Sequence, residues 1–311
     1  MTHGDAVSNV AGSRMTRTER SPAPTAAEVA RLVAEHGLRR AGARPRLAAY
    51  TRELWRRRHF VWEFSRATSA VGYSRSMLGQ AWQVLTPLLN AGVYFLIFGV
   101  LLSTRRGVHN YVAFLVIGVF VFTFTQTSTL AGARAIHANL GLTRVLNFPR
   151  AVLPVSATLV ALQRLLLSLL VLIPIVVLTG ERPALRWLLL IPAIGLQALF
   201  CLGLACLMAR IGATIPDTSQ ILPFLLRTWL YLSGVFFSID VFTANYGNEL
   251  IRHLLALNPG AIYVALARHA LLADDARLFP YEWHYATGWA VAVLVGGYLF
   301  FWRAEEQYGR I

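Results

Sequence analysis

The chain has 311 residues, of which 56% are hydrophobic and 14% are charged, whereas a soluble domain carries about 25% charged residues. All 29 basic residues are arginines, and the absence of lysine excludes both a phosphate-binding P-loop and Schiff-base chemistry. The net charge of +14 does not indicate nucleic-acid binding, because 14 of the arginines precede Trp82, a pattern typical of anchoring to anionic lipid.

The N-terminal part is predicted to lie on the cytoplasmic side of a membrane. Residues 1–46 are rich in Ala, Arg, Ser, Thr and Pro and lack apolar periodicity, which predicts a disordered cytoplasmic tail. Residues 47–82 contain an amphipathic helix and the entry to the first crossing. One face of this helix carries Leu47, Tyr50, Leu54, Val61 and Phe64. It lies in the plane of the membrane interface or packs on the protein's own cytoplasmic surface.

Six segments are apolar and long enough to cross a bilayer as helices. About 20 apolar residues, at a rise of about 1.5 Å each, cross a hydrocarbon core of about 30 Å. Apolar residues do not alternate at period two, which excludes barrel strands. The predicted crossings fill a transmembrane domain of residues 83–311 and are 84–102, 111–130, 155–178, 187–208, 221–238 and 283–301. The fold class is an all-α polytopic membrane protein with six transmembrane helices.

A further apolar stretch within residues 241–273 contains Asn258-Pro259-Gly260, a strong helix breaker. It predicts a pair of re-entrant helices on the outer face, between the fifth and sixth crossings, rather than a seventh crossing. Twelve arginines near the spans then lie inside and seven outside, so both termini are expected to be cytoplasmic.

Three motifs carry a resemblance to a known family. They are GYSRSMLGQAW at 72–82, NLGLTR and NFPRAVLP within 139–154, and LNPG at 257–260. They resemble the entry to the first helix, the cytoplasmic coupling element and the outer re-entrant segment of ABC-2 type permeases that export O-antigen, teichoic acid and related polysaccharides. Within this family, motifs and composition together are most similar to the mycobacterial galactan exporters. The resemblance covers residues 45–311.

The resemblance implies the ABC-2 (type V) exporter fold and a multi-pass permease subunit in the plasma (inner) membrane that catalyses no reaction. Two copies of the chain would form the pore as a homodimer, and two separate ATPase subunits would bind beneath it. ATP and Mg would be held by those subunits, and this chain would bind no cofactor. The implied cargo is a polysaccharide on a polyprenyl-diphosphate lipid, such as galactan for cell wall biogenesis. The richness in arginine and alanine is typical of an actinobacterial genome.

The resemblance implies that the connection 134–150 contacts the ATPase and couples ATP hydrolysis to transport. Its expected contact residues are Asn139, Leu142, Arg144, Phe148, Pro149 and Arg150. Just inside the first crossing, Arg66 and Arg75 are candidates for recognising the lipid diphosphate. Anchoring at lipid headgroups is the more common role of such arginines.

The fifth crossing supplies the candidates for lining the pore, which are Arg227, Trp229, Tyr231, Phe236 and Phe237. Aromatic faces suit the C–H faces of sugars, but aromatic residues also form membrane belts and ordinary helix packing. An arginine near a helix centre costs at least ~2.5 kcal/mol, so Arg227 must face a wet pore or a dimer contact. Asn258, Pro259 and Gly260 are candidates for an outer gate. The role of Arg164, which could snorkel, stays open.

Two other functions are alternatives to polysaccharide export. A small-molecule or drug efflux permease would share the fold. An integral-membrane glycosyltransferase would need a cluster of acidic or histidine residues at one membrane face, and the sequence offers none, nor does it show metal-ligand spacing.

Overall fold

The computed structural model describes residues 46–71, 79–101, 108–145, 148–239, 257–273 and 281–306, with single positions at 25, 27, 28, 31, 35, 255 and 308. The chain divides into two units, 1–43 and 44–311. In the first unit, Thr25 and Glu28 form a capping box, in which the Thr25 N–H donates to Glu28 Oε2 at 2.9 Å and the Glu28 N–H donates to Thr25 Oγ1 at 3.4 Å. The disorder predicted for 1–46 falls almost wholly outside the described residues.

The amphipathic segment forms two helices rather than one. Helix α1 (Leu47–Arg56) and helix α2 (Arg58–Val71) are separated at Arg57, which caps α1. On the predicted apolar face, Tyr50 and Val61 are buried in a core of the same chain that also contains Phe148 and Phe301. These contacts are the ones expected when the helices pack on the protein's own surface.

Five helices in the described part of the chain are long and apolar enough to cross a membrane. They correspond to the first, second, third, fourth and sixth predicted crossings. They are α3 (Trp82–Tyr94) with its π-helical continuation Phe95–Leu101, α4 (Tyr111–Arg134), α6 (Val152–Leu178), α7 (Leu190–Thr214) with a preceding 3₁₀ turn Leu185–Leu189, and α10 (Glu282–Arg303). Between α4 and α6 lie a 3₁₀ turn, His137–Asn139, and the short helix α5 (Leu140–Val145).

The predicted fifth crossing, 221–238, is not one continuous helix. Helix α8 (Thr218–Leu232) has 15 residues, which rise about 22 Å and fall short of the hydrocarbon core. It ends because Gly234 adopts a left-handed conformation, with φ of +61°, that an ordinary residue rarely takes. The total of six crossings therefore remains a prediction.

Helix α9 (Pro259–Leu271) has 13 residues, too few to cross alone. Most of its side chains are buried, and it contacts α4, α7, α8 and α10. Short helices at membrane depth require this kind of protein cover. The half of the predicted re-entrant pair that precedes residue 255 lies outside the described residues.

Helix α4 is the centre of the bundle, with 78% of its most apolar stretch buried. It packs against α6, α7, α3, α8 and α9. Small residues allow the closest approaches, for example where Gly132 of α4 meets Ala205 of α7 and where Gly203 of α7 meets Gly297 of α10. Such contacts are typical of helix packing in membranes.

Candidate transport and coupling sites

The Asn258-Pro259-Gly260 motif forms the start of α9 and joins it to the end of α8. Asn258 caps the helix by accepting from the Gly260 N–H at 3.0 Å, and Pro259 occupies the first helical position. The Asn258 Oδ1 also accepts from Trp229 Nε1 at 2.7 Å, and its Nδ2 donates to the Leu232 carbonyl at 3.0 Å. The helix breaker is thus an ordered junction between two short helices, in the place where the sequence predicted an outer gate.

A buried arginine that the sequence analysis did not select closes the same junction. Arg268 of α9 is 6% exposed, and its guanidinium donates to the carbonyl oxygens of Phe114 at 3.0 Å, Gly234 at 2.8 Å and Val235 at 2.8 Å. The guanidinium also lies 3.3 Å from the centre of the Phe114 ring. These bonds satisfy the backbone where α8 ends. An arginine inside a short apolar segment was the signal that could have found it.

The pore candidates on α8 and just after it divide into inward and outward groups. Phe236 is 1% exposed and stacks on Phe98 at 4.5 Å between ring centres, so its assignment to a pore wall is corrected to core packing. Trp229 also points inward, with its ring edge against Phe122. Arg227 and Tyr231 are exposed on this chain, while Phe237 is half-buried.

The connection between α4 and α6 is partly folded into the chain itself. Phe148 is 7% exposed and lies 6.0 Å from Phe60 of α2 between ring centres, and Pro149 is buried. Leu142 is partly buried against the core that contains Tyr50, Val61 and Phe148. Asn139 donates to the Ala135 carbonyl at 2.8 Å, which fixes the turn after α4. The side chain of Arg144 lies outside the described part of the chain.

Arg150 and Ala151 join this connection to both ends of the 44–311 unit. The Arg150 N–H donates to Glu305 Oε1 at 3.0 Å, and its guanidinium donates to the Glu305 carbonyl at 2.9 Å. The Tyr50 hydroxyl donates to Glu305 Oε2 at 2.7 Å and accepts from the Ala151 N–H at 3.0 Å. Burial raises the pKa of Glu305, while Arg150 and Tyr50 act in the opposite direction. The partners of Arg150 and Ala151 lie 155 and 101 positions away along the chain, so no local sequence pattern reveals them.

Arg66 lies at a groove between α2 and α6. The groove has a volume of about 820 Å³, and its lining includes Trp62, Gln163 and the exposed leucines Leu166, Leu167 and Leu170. Arg66 is exposed and pairs with Glu63 at 3.7 Å. A rim that carries this ion pair beside an apolar wall suits an amphiphilic molecule. Arg75, the second candidate for the lipid diphosphate, lies outside the described residues.

Comparison with known proteins settles the family. The family profile described as ABC-2 type transporter matches residues 62–272, which is more than half of the chain. The chain belongs to the ABC-2 type transporter family. An ABC-2 permease is a transport subunit rather than an enzyme, and the ATPase that drives it is a separate chain.

The relatives of this ABC-2 permease include exporters of cell-surface polysaccharides. It is 29% identical over 208 residues to the O-antigen export system permease protein RfbA of Myxococcus xanthus, which covers 67% of this chain and 78% of that protein. It is 26% identical over 172 residues to the RfbA protein of Klebsiella pneumoniae, covering 55% and 66%. It is 25% identical over 208 residues to the polysialic acid transport protein KpsM of Escherichia coli, covering 64% and 76%.

Proposed function

We propose that this ABC-2 permease is the membrane-spanning subunit of an exporter that moves a polysaccharide linked to a polyprenyl diphosphate across the plasma membrane. The observation that carries the proposal is family membership together with relatives named as O-antigen and polysialic acid exporters. Two copies of the chain form the pore, two ATPase subunits bind on the cytoplasmic side, and galactan is the cargo favoured by the sequence motifs.

The groove beside Arg66 supports a lipid-linked cargo. Its exposed leucines on α6 offer an apolar surface, and Arg66, paired with Glu63, places a guanidinium at the edge of the same groove. A free sugar or a small hydrophobic drug would use only one of these two surfaces. A lipid diphosphate uses both.

Coupling to the ATPase is assigned to the connection between α4 and α6. Since Phe148 and Pro149 are buried against the chain's own helices, they hold the connection in place, and the exposed positions His137, Ala138 and Gly141 are left to contact the ATPase. Motion of the ATPase then reaches α1 and the C-terminal end of α10 through Arg150 and Glu305.

The test is reconstitution of the full chain with its partner ATPase in inverted vesicles. We expect ATP-dependent accumulation of lipid-linked polysaccharide, no ATP hydrolysis by the chain alone, and loss of export without loss of assembly in Phe148→Ala. Accumulation of a fluorescent drug instead of polysaccharide would identify an efflux permease. Transfer of sugar from a nucleotide donor by the chain alone would identify a glycosyltransferase.

A further inference from the structure

Helix α6, which follows the connection assigned to coupling, has no cap of its own at its N-terminal end. Ala151 occupies the capping position without a side-chain acceptor, and the first turn contains no acidic residue. The N–H of Val152 donates to the Pro149 carbonyl at 3.0 Å, and Pro149 itself has no N–H. The N–H of Leu153 donates to the Arg150 carbonyl at 3.0 Å. The backbone donors that remain at this end are therefore those of Arg150 and Ala151.

Two side chains from distant parts of the chain satisfy these two donors. Glu305 Oε1 accepts from the Arg150 N–H at 3.0 Å, and the Tyr50 hydroxyl accepts from the Ala151 N–H at 3.0 Å. The same hydroxyl donates to Glu305 Oε2 at 2.7 Å, so the two side chains form one unit, the α6 cap. Both residues are buried, so the α6 cap is closed off from bulk water.

The α6 cap links three elements that are separate in the sequence. Tyr50 belongs to α1, Glu305 follows α10, and the capped N–H groups lie at the end of the connection between α4 and α6. The guanidinium of Arg150 adds to this link by donating to the Glu305 carbonyl at 2.9 Å. A serine or aspartate at the start of α6 would satisfy a donor without any such link. With the α6 cap in place, the connection cannot tilt against α1 and the end of α10 unless buried hydrogen bonds break.

We propose that Tyr50 and Glu305 are positioning residues for coupling, and that the α6 cap holds the start of α6 in the orientation in which the ATPase moves it. The inference rests on the proposed function for the role of the connection between α4 and α6. Motion of the ATPase is passed on along α6 because α6, α1 and the end of α10 respond as one body. Without the α6 cap, the connection follows the ATPase while α6 does not, and ATP is hydrolysed without export.

The experiment measures ATP hydrolysis and polysaccharide export by the full chain with its partner ATPase in inverted vesicles. Tyr50→Phe removes the bridging hydroxyl and keeps the ring. Glu305→Gln keeps the shape of the side chain, but its amide accepts at only one of the two positions. We expect each variant to lower the polysaccharide exported per ATP by about three- to tenfold, while the rate of ATP hydrolysis and its KM for ATP stay unchanged.

Two variants of the same chemistry serve as controls. Tyr308→Phe removes a buried hydroxyl from the core that contains Tyr50, but this hydroxyl donates to the Phe301 carbonyl at 3.3 Å instead of to the α6 cap. Glu53→Gln removes a carboxylate that pairs with Arg57 at the end of α1, at 2.8 Å. Both controls are expected to export as much polysaccharide per ATP as the wild type.

Hydrogen exchange at the backbone amides of Arg150 and Ala151 reports the α6 cap directly in the purified full chain. We expect exchange at these amides to be about tenfold faster in Tyr50→Phe than in the wild type. Exchange that is unchanged in both cap variants overturns the α6 cap. Faster exchange with an unchanged ratio of export to ATP hydrolysis overturns the positioning role. An equal loss of export per ATP in Tyr308→Phe also overturns it, because the loss then follows the stability of the core.

The wild-type chain in the same vesicles separates this inference from the proposed function. Wild-type export of polysaccharide, with a ratio to ATP hydrolysis that is insensitive to both cap residues, overturns only the positioning role. A wild-type chain that exports no polysaccharide overturns the proposed function, and the positioning role falls with it.

Discussion

Arg268 stabilises the junction between α8 and α9 through carbonyl oxygens instead of a carboxylate. Its guanidinium bonds to Phe114 in α4 and to Gly234 and Val235 after α8. Each of those carbonyls would otherwise lack one partner in a region with little water. The geometry also explains Gly118, because a side chain there would collide with the guanidinium.

Replacing Arg268 by methionine is therefore expected to destabilise the fold by about 2–5 kcal/mol, since three buried acceptors lose their donor. The measurement is thermal unfolding of the purified chain in detergent. Arg227→Met, at an exposed arginine on α8, is the control and should change little. A melting temperature of Arg268→Met equal to that of the control would contradict this role.

Glu305 gives the core around Tyr50 and Phe148 a defined pH dependence. Burial holds the pKa of its carboxyl above the ordinary glutamate value, so the folded chain binds a proton that the unfolded chain has released. The contribution to stability is fully present below the unfolded pKa of about 4.3 and is lost as the pH rises through the folded value.

The melting temperature of wild type minus that of Glu305→Gln is thus expected to fall as the pH is raised from about 4 towards neutrality. Glu306→Gln, at the exposed neighbouring position, serves as the control and should show no such trend. A difference in melting temperature that grows with pH would mean that the attraction between Arg150 and the ionised Glu305 outweighs the cost of burying the carboxylate.

At the scale of elements, the bundle depends on helices that touch through glycine. Gly297 of α10 faces Gly203 of α7 so closely that an added Cβ would overlap the Gly203 backbone, whereas Gly296 faces open space. The two positions are adjacent in one helix and share its backbone conformation.

Gly297→Ala is expected to lower the stability of the fold by about 1–3 kcal/mol through overpacking. Gly296→Ala should be neutral or stabilising, because alanine favours helix by about 0.5–1 kcal/mol over glycine. Thermal unfolding of both variants gives the comparison. Equal effects at the two positions would argue that the α7–α10 contact is looser than the structure has it.

At the scale of the whole molecule, the predicted topology places the α6–α7 connection outside and the C-terminal end inside. The native cysteines Cys201 and Cys206 are buried. A single cysteine introduced elsewhere can therefore show on which side of the membrane its position lies. Tyr308 is unsuitable for this purpose because it is 2% exposed, whereas Glu306 is exposed and Leu185 is 87% exposed.

We expect an impermeant thiol reagent added to intact cells to label Leu185→Cys and to leave Glu306→Cys unlabelled until the membrane is opened. The reason is an odd number of crossings between the two positions when the fifth predicted crossing, 221–238, spans the membrane and the segment 241–273 does not. Labelling of Glu306→Cys from outside would require one crossing more or one fewer and would contradict the predicted topology.

Sequence alone determined that this protein lies in a membrane, that its fold is all-helical and which family it belongs to. Runs of about 20 apolar residues have few stable states other than helices in a bilayer, so length and composition suffice for α4, α6, α7 and α10. The amphipathic face of α1 and α2 and the helix break at Asn258-Pro259-Gly260 were equally visible, because both arise from neighbouring residues.

Only the tertiary structure decided which polar groups meet. The partners of Arg268 and of Arg150 lie far away along the chain, and periodicity carries no information about such pairs. The same limit explains Phe236, whose type suits a pore wall or a core equally and whose burial is fixed by Phe98 of another helix. It also explains Tyr50 and Glu305, which meet at the start of α6 because α1 and the C-terminal end of α10 pack in one core.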